Sequence, residues 1–207
     1  MESFDEKVQE WLRLSGNGQF IEARRFYYDQ LFNDIINGFV AKNDETNVGT
    51  DVLFSMLGYS PEPIVLTQRA LKAKENVIFY HNVGNDFNDK IKPVLDRFLQ
   101  GNFRFVELTD LSFGTIYSTL KEQMNITPAS NYAIDITGGK KSMVASASIF
   151  ARDFNFKVLY VDYDEYMPDL RRPMPGSETL NIVYDYLRDL PEIDTLSQII
   201  RQQDTII

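Results

Sequence analysis

Asp135-Ile136-Thr137-Gly138-Gly139-Lys140-Lys141-Ser142-Met143 stands between two runs of different character. Before it lies a short apolar run, Tyr132-Ala133-Ile134, with the length of a buried strand. After it lies Val144-Ala145-Ser146-Ala147-Ser148-Ile149-Phe150, which reads as a buried helix. A strand that ends in Thr-Gly-Gly-Lys-Lys and opens a helix brings backbone amides, a positive helix end and two cations to one place. The glycines let the main chain approach closely. The ligand suited to such a turn is a polyanion.

The same alternation extends over the chain from Asp51. Short apolar runs at 51–57, 76–80, 103–108, 131–136 and 157–162 are strand candidates. Amphipathic stretches at about 62–72, 87–100, 113–125 and 141–154 separate them. Strand and helix in turn predict an α/β fold, a Rossmann-like and mainly parallel sheet with helices on both faces. Ligands of such sheets bind at the carboxyl ends of strands. The turns Gly58-Tyr59-Ser60-Pro61, His81-Asn82 and Thr137 to Ser142 gather there. Residues 1–42 read differently, as a helical hairpin. Ser3 and Glu6 have capping-box spacing, Phe4, Val8, Trp11 and Leu12 follow at helical intervals, and Gly16 and Gly18 stop the helix. Phe20, Ala23, Tyr27, Leu31 and Ile35 form a second helical face, and Lys42 to Asn47 is a polar linker. The expected organisation is an appendage at 1–42, a ligand-sensing domain at 51–185 and a C-terminal helix at 190–207. Between the last two come a loop or hairpin from Asp164 to Ser177 and an apolar run at 179–184, and Pro191 can sit in the first turn of the last helix.

Composition narrows the function. With 207 residues, 43% hydrophobic, the chain can bury a substantial core. It has no cysteine, which excludes disulfides and thiolate metal sites and fits a reducing, cytoplasmic setting. No run of about 18 apolar residues is present. The net charge of −9 opposes binding of long nucleic acid, so a nucleotide ligand must be small and held by local amides and cations. No metal site and no cofactor are expected.

Two common phosphate loops can be set aside. A Walker A loop needs glycine five residues before Gly139 and Ser or Thr after its lysine; Ile134 and Lys141 stand there. The G-x-G-x-x-G fingerprint fails at Gly58-Tyr59-Ser60-Pro61. In that turn Gly58 permits a sharp exit from the strand, Pro61 or Pro63 can open the next helix, and Ser60 can face a ligand. Lone His81 reads as a hydrogen-bonded structural residue, and Met143 as core. Asp135 is expected to order its loop by accepting backbone amides. Arg171 and Arg172 are expected to pair with Asp162, Asp164 or Glu165, with closure over a ligand as the alternative.

Gly58-Tyr59-Ser60-Pro61-Glu62-Pro63-Ile64 together with Asp135-x-Thr137-Gly138-Gly139-x-Lys141-x-Met143 resembles the CARF (CRISPR-associated Rossmann fold) family. Tyr160 to Tyr166 and Leu170 to Glu178 are similar to one branch of it found in type III CRISPR accessory proteins. The chain departs at Lys140, where the family often has Thr, and gains a cation. The resemblance implies a homodimer that binds a cyclic oligoadenylate across its two-fold axis, with cyclic tetra-adenylate favoured by symmetry. It implies ligand contacts from Gly58, Tyr59, Ser60, Asn82, Thr137, Gly138, Gly139, Lys140, Lys141 and Ser142.

CARF sensors usually carry an effector. The common ribonuclease partner uses an Arg-x-x-x-x-x-His motif, and His81 has no Arg shortly before it. The expected output is therefore relay to an effector domain or membrane segment outside this chain, of which it would be the soluble part. The alternative is a slow, metal-independent ring nuclease in which Ser60, Thr137 and Lys141 orient a ribose 2′-hydroxyl and the scissile phosphate.

Overall fold

A computed structural model describes residues 2–43, 49–81 and 86–189. Asn82, part of the 42–47 linker and the helix expected over 190–207 lie outside the described residues. Five strands run where alternation predicts them: β1 Val52–Met56, β2 Glu75–Tyr80, β3 Asn102–Glu107, β4 Tyr132–Asp135 and β5 Lys157–Tyr163. They are joined by α4 Glu62–Leu71, α5 Lys92–Phe98 (preceded by a π-helical turn, Phe87–Ile91), α6 Phe113–Ile126 and α7 Lys141–Asp153. Strand β8, Glu178–Tyr184, completes the sheet, and the order is β3-β2-β1-β4-β5-β8. All neighbours are parallel except β5 and β8. A parallel sheet covered on both faces buries every side chain of its central strand, and all five residues of β1 are buried.

The chain reverses direction across the sheet between β1 and β4. From β1 it steps outward to β2 and β3, then crosses back to β4 and steps the other way to β5. The crevice at the carboxyl ends of β1 and β4 is thus the topological switch point, the usual ligand position in open α/β sheets.

The N-terminal helices are α1 Phe4–Gly16 and a longer helix made of α2 Phe20–Phe26, a π-helical turn Tyr27–Leu31 and α3 Phe32–Lys42. The capping box is formed: Glu6 N–H donates to the Ser3 hydroxyl, and Ser3 N–H donates to the Glu6 carboxylate. These helices share a core with α4 and α5 on one face of the sheet. Trp11, Tyr27, Phe32 and Ile35 are all buried there, whereas Phe20 is 69% exposed and does not join the packed face expected for it. The opposite face carries α6 and α7 over Phe54, Phe79, Phe150 and Phe156, each fully buried. Among the described residues no helix is long and apolar enough to cross a membrane.

Candidate functional site

The site begins with two main chains in contact. Gly58 ends β1 and Gly138 follows β4. A Cβ at Gly138 would lie 2.7 Å from the Met56 carbonyl oxygen and 2.9 Å from the Gly58 nitrogen. A Cβ at Gly58 would overlap the Gly138 carbonyl. The glycines are required for this approach. Gly139 is nearly as tight, since its Cβ would come within 2.9 Å of the Met56 side chain. Pro61 precedes α4 and Pro63 sits in its first turn, so both prolines belong to the helix entry, as the sequence predicts.

The β4–α7 turn is fixed by a short polar relay. Asp135 Oδ1 accepts from the Thr137 amide at 2.9 Å and from the Thr137 hydroxyl at 2.5 Å. That hydroxyl accepts in turn from the Val161 amide at 2.8 Å, which ties the turn to β5. The Thr137 hydroxyl is fully used by this frame and has no proton to offer a phosphate. Asp135 is 1% exposed, and burial raises its pKa above the ordinary aspartate value, offset in part by the bonds from Thr137. The Thr67 hydroxyl of α4 also lies against this carboxyl. Asp135 therefore faces its own loop.

The glycine contact separates two clefts. One, of about 130 Å³, is lined by Leu57, Gly138, Gly139, Lys140, Met143 and His81. His81 Nδ1 lies 2.8 Å from the Leu108 carbonyl oxygen and donates to it, so the histidine is structural, as expected. Met143 is core at 1% exposure. The larger cleft, of about 440 Å³, contains Tyr59, Ser60, Thr137 and Gly138 on its sheet side. Its other walls come from the N-terminal helices through Trp11 and Tyr27, and from the arm between β5 and β8 through Arg171 and Arg172. Lys140, Lys141 and Ser142 are exposed at the start of α7, and among the described residues neither lysine forms an ion pair.

The structure thus brings Tyr59, Ser60, Thr137 and Gly138 together in the larger cleft, with Gly58 against Gly138. Gly58, Gly139 and Lys140 line the smaller cleft, Tyr59 and Gly138 line both, and Lys141 lines neither. The carboxylate pairing expected for Arg171 and Arg172 is not formed. Among the described residues neither makes an ion pair, and the Arg172 guanidinium lies over the Tyr27 ring at 5.7 Å. The reason is the course of the arm. Strand β6, Tyr166–Met167, pairs with β7, Arg172–Pro173, as a small hairpin that turns through Arg171 in a left-handed conformation. It packs on the helices, with Lys42 donating to the Gly176 carbonyl at 2.7 Å and the Phe4 ring against Gly176. Sequence reasoning missed Trp11 and Tyr27 as part of this cleft. They stand more than a hundred residues before the glycine turn, and their spacing signals only a buried helix face.

The glycine-lined switch point defines a Rossmann-like α/β domain whose ligand face is open. No family model matches the chain. Over 145 residues it is 30% identical to the CRISPR system endoribonuclease Csm6 of Thermus thermophilus, covering 68% of this chain and 30% of that protein. The chain thus spans less than a third of the length of that relative. Among solved structures, Can2 from Sulfobacillus thermosulfidooxidans in complex with cyclic tetra-adenylate aligns with 59% of this chain and 35% of its own at 16% identity and TM-score 0.49. Enterococcus italicus Csm6 bound to cyclic hexa-2′-fluoro-hexa-dAMP aligns with 75% of this chain and 46% of its own at 13% identity and TM-score 0.48. The D-x-T-G-G-x-K-x-M string at the switch point and the relationship to the Thermus protein make this chain a CARF domain protein of type III CRISPR systems.

Proposed function

We propose that this chain is a cytoplasmic sensor that binds a cyclic oligoadenylate across the two-fold axis of a homodimer and relays its presence to an effector. The observation that carries the reading is the Gly58–Gly138 contact at the switch point, with Lys140 and Lys141 exposed and unpaired beside it. Main-chain approach of this kind leaves amides accessible to an anion, and the start of α7 adds a positive dipole end. Two such turns related by symmetry form a closed cradle for a ring, and a ring of four phosphates matches a two-fold axis. The kinship with a CRISPR endoribonuclease supports the setting.

Relay is favoured over ring cleavage. Of the three residues that could orient a cleavage reaction, Thr137 is committed to Asp135 and Val161, and Ser60 and Lys141 do not share a cleft. Incubation of the purified chain with cyclic tetra-adenylate and cyclic hexa-adenylate, followed by chromatography, is expected to return intact ring. Rapid multiple-turnover cleavage would replace the sensor with a ring nuclease.

A further inference from the structure

The arm between β5 and β8 is one piece fastened to the N-terminal helices. Main-chain bonds close it on itself: the Asp164 amide donates to the Ser177 carbonyl and the Met174 amide to the Glu165 carbonyl, each at 2.9 Å. Three contacts hold that piece to the helices. The Phe4 ring lies on Gly176, where φ is +87° and a Cβ would come within 2.9 Å of the ring. Lys42 donates to the Gly176 carbonyl, and the Arg172 guanidinium rests on the Tyr27 ring. The Gly176 amide in turn donates to Glu178 at 2.8 Å. Glu178 is 8% exposed and is the one residue common to the larger cleft and to a second cavity, of about 210 Å³. Phe4, Ile35, Phe39 and Lys42 line that cavity, which lies between α1, α3 and the arm.

The same piece carries two cations that these fastenings do not neutralise. Arg171 and Arg172 line the larger cleft, and among the described residues no carboxylate pairs with either. The glycine turn of the switch point forms the sheet side of that cleft. An anion held at the turn attracts both guanidinium groups across it, and a bidentate bond to an oxyanion outweighs the contact of a guanidinium with a ring. Gly176 moves with the arginines, so the arm cannot approach the sheet without leaving Phe4 and Lys42. The cavity beside Gly176 leaves room for that shift, which close-packed side chains would not. We propose that the arm is a strap poised to close over the cleft, and that the N-terminal helices latch it open through Gly176. Filling the site then releases the latch and loosens α1, which makes α1 the element that carries the signal outward. The inference rests on the sensor reading for its anion. The latch rests on the contacts at Gly176. Coupling of this kind is reciprocal: if binding breaks the latch, breaking the latch favours binding.

The test titrates cyclic tetra-adenylate into the full chain by calorimetry and follows amide hydrogen exchange over α1, in the wild type, Lys42→Ala and Phe4→Ala. Neither residue lines the larger cleft. Both variants are expected to bind the ring roughly fivefold or more tightly than the wild type, and ring binding to the wild type is expected to speed exchange in the first turns of α1. The sign is what discriminates. Lys42→Ala removes a positive charge, which alone weakens binding of a polyanion, so tighter binding reports the latch. Lys42 is exposed, and its variant keeps the test valid if Phe4→Ala unfolds. Ring affinity that is unchanged or weaker in Lys42→Ala, or exchange over α1 that does not rise on binding, overturns the strap and leaves the sensor reading standing. A wild type that does not bind the ring at all overturns the sensor reading and the strap with it.

Discussion

The two faces of the sheet are built on opposite principles. The face under α6 and α7 is apolar and aromatic: Phe54 packs edge-on to Phe79 and Phe156, and Phe156 stacks on Tyr132 with centroids 4.6 Å apart. The face under α4 and the N-terminal helices buries polar groups. Ser55, Thr67, Asn76 and Asp135 are all below 4% exposure; the Thr67 hydroxyl lies against the Asp135 carboxyl, and Asn76 Nδ2 has no hydrogen-bond partner among the described residues. A buried polar atom without a partner costs about 1–3 kcal/mol, so a face selected for stability alone would not keep one. The polar face is also the one that opens into the larger cleft. The contrast separates an apolar layer from a layer that borders the cleft, and departures from good local practice collect on the second.

The contrast breaks first if the aromatic face proves dispensable. Phe150→Ala is expected to cost about 3–5 kcal/mol of stability in chemical denaturation, with the ligand affinity of the folded fraction unchanged. The seam between the faces comes next. Gly138→Ala forces a methyl against the Met56 carbonyl and the Gly58 amide, obstacles that are main chain and cannot rotate away. It is expected to lose about 3 kcal/mol, the upper end for overpacking, and to abolish ring binding. Lys141→Ala sharpens the comparison from the other side. Calorimetry should show ring affinity weakened by about 1.5–3 kcal/mol per protomer, and more weakly still as salt rises, with Tm unchanged because Lys141 supports no ion pair.

The smallest effect is one of shape. Burial holds the Asp135 pKa above its unfolded value. Between those two values the folded state holds more protons than the unfolded chain, so stability falls as pH rises through the folded pKa. Asp135→Asn keeps the oxygen that accepts from Thr137 and removes this titration. The stability difference, wild type minus variant, should therefore decline from acid towards neutral pH and then level off. A flat difference would show that the carboxyl of Asp135 does not titrate differently on folding.

Much of this was legible in the sequence. The predicted runs at 76–80 and 157–162 became strands 75–80 and 157–163, because a doubly covered sheet needs continuous apolar strands and amphipathic crossovers. The Gly138-Gly139 turn was legible because few reasons other than close main-chain approach place two glycines between a strand and a helix. The role of the Thr137 hydroxyl was not, since its partner Val161 lies 24 residues away and only the register of β4 on β5 brings them together. Nor was the placement of Arg171 and Arg172. Nearby acids made pairing the expectation, and the turn of the arm directed the guanidinium groups to Tyr27 and the cleft instead. Helical periodicity marked Trp11 and Tyr27 as buried but could not say against what.

Isothermal titration of the purified chain with cyclic tetra-adenylate, paired with sedimentation of the same sample, tests the sensor account most directly. It predicts saturable binding of one intact ring per two protomers in a species of dimer mass. Binding of one ring per protomer by a strict monomer, or no heat at any concentration reached, would contradict it.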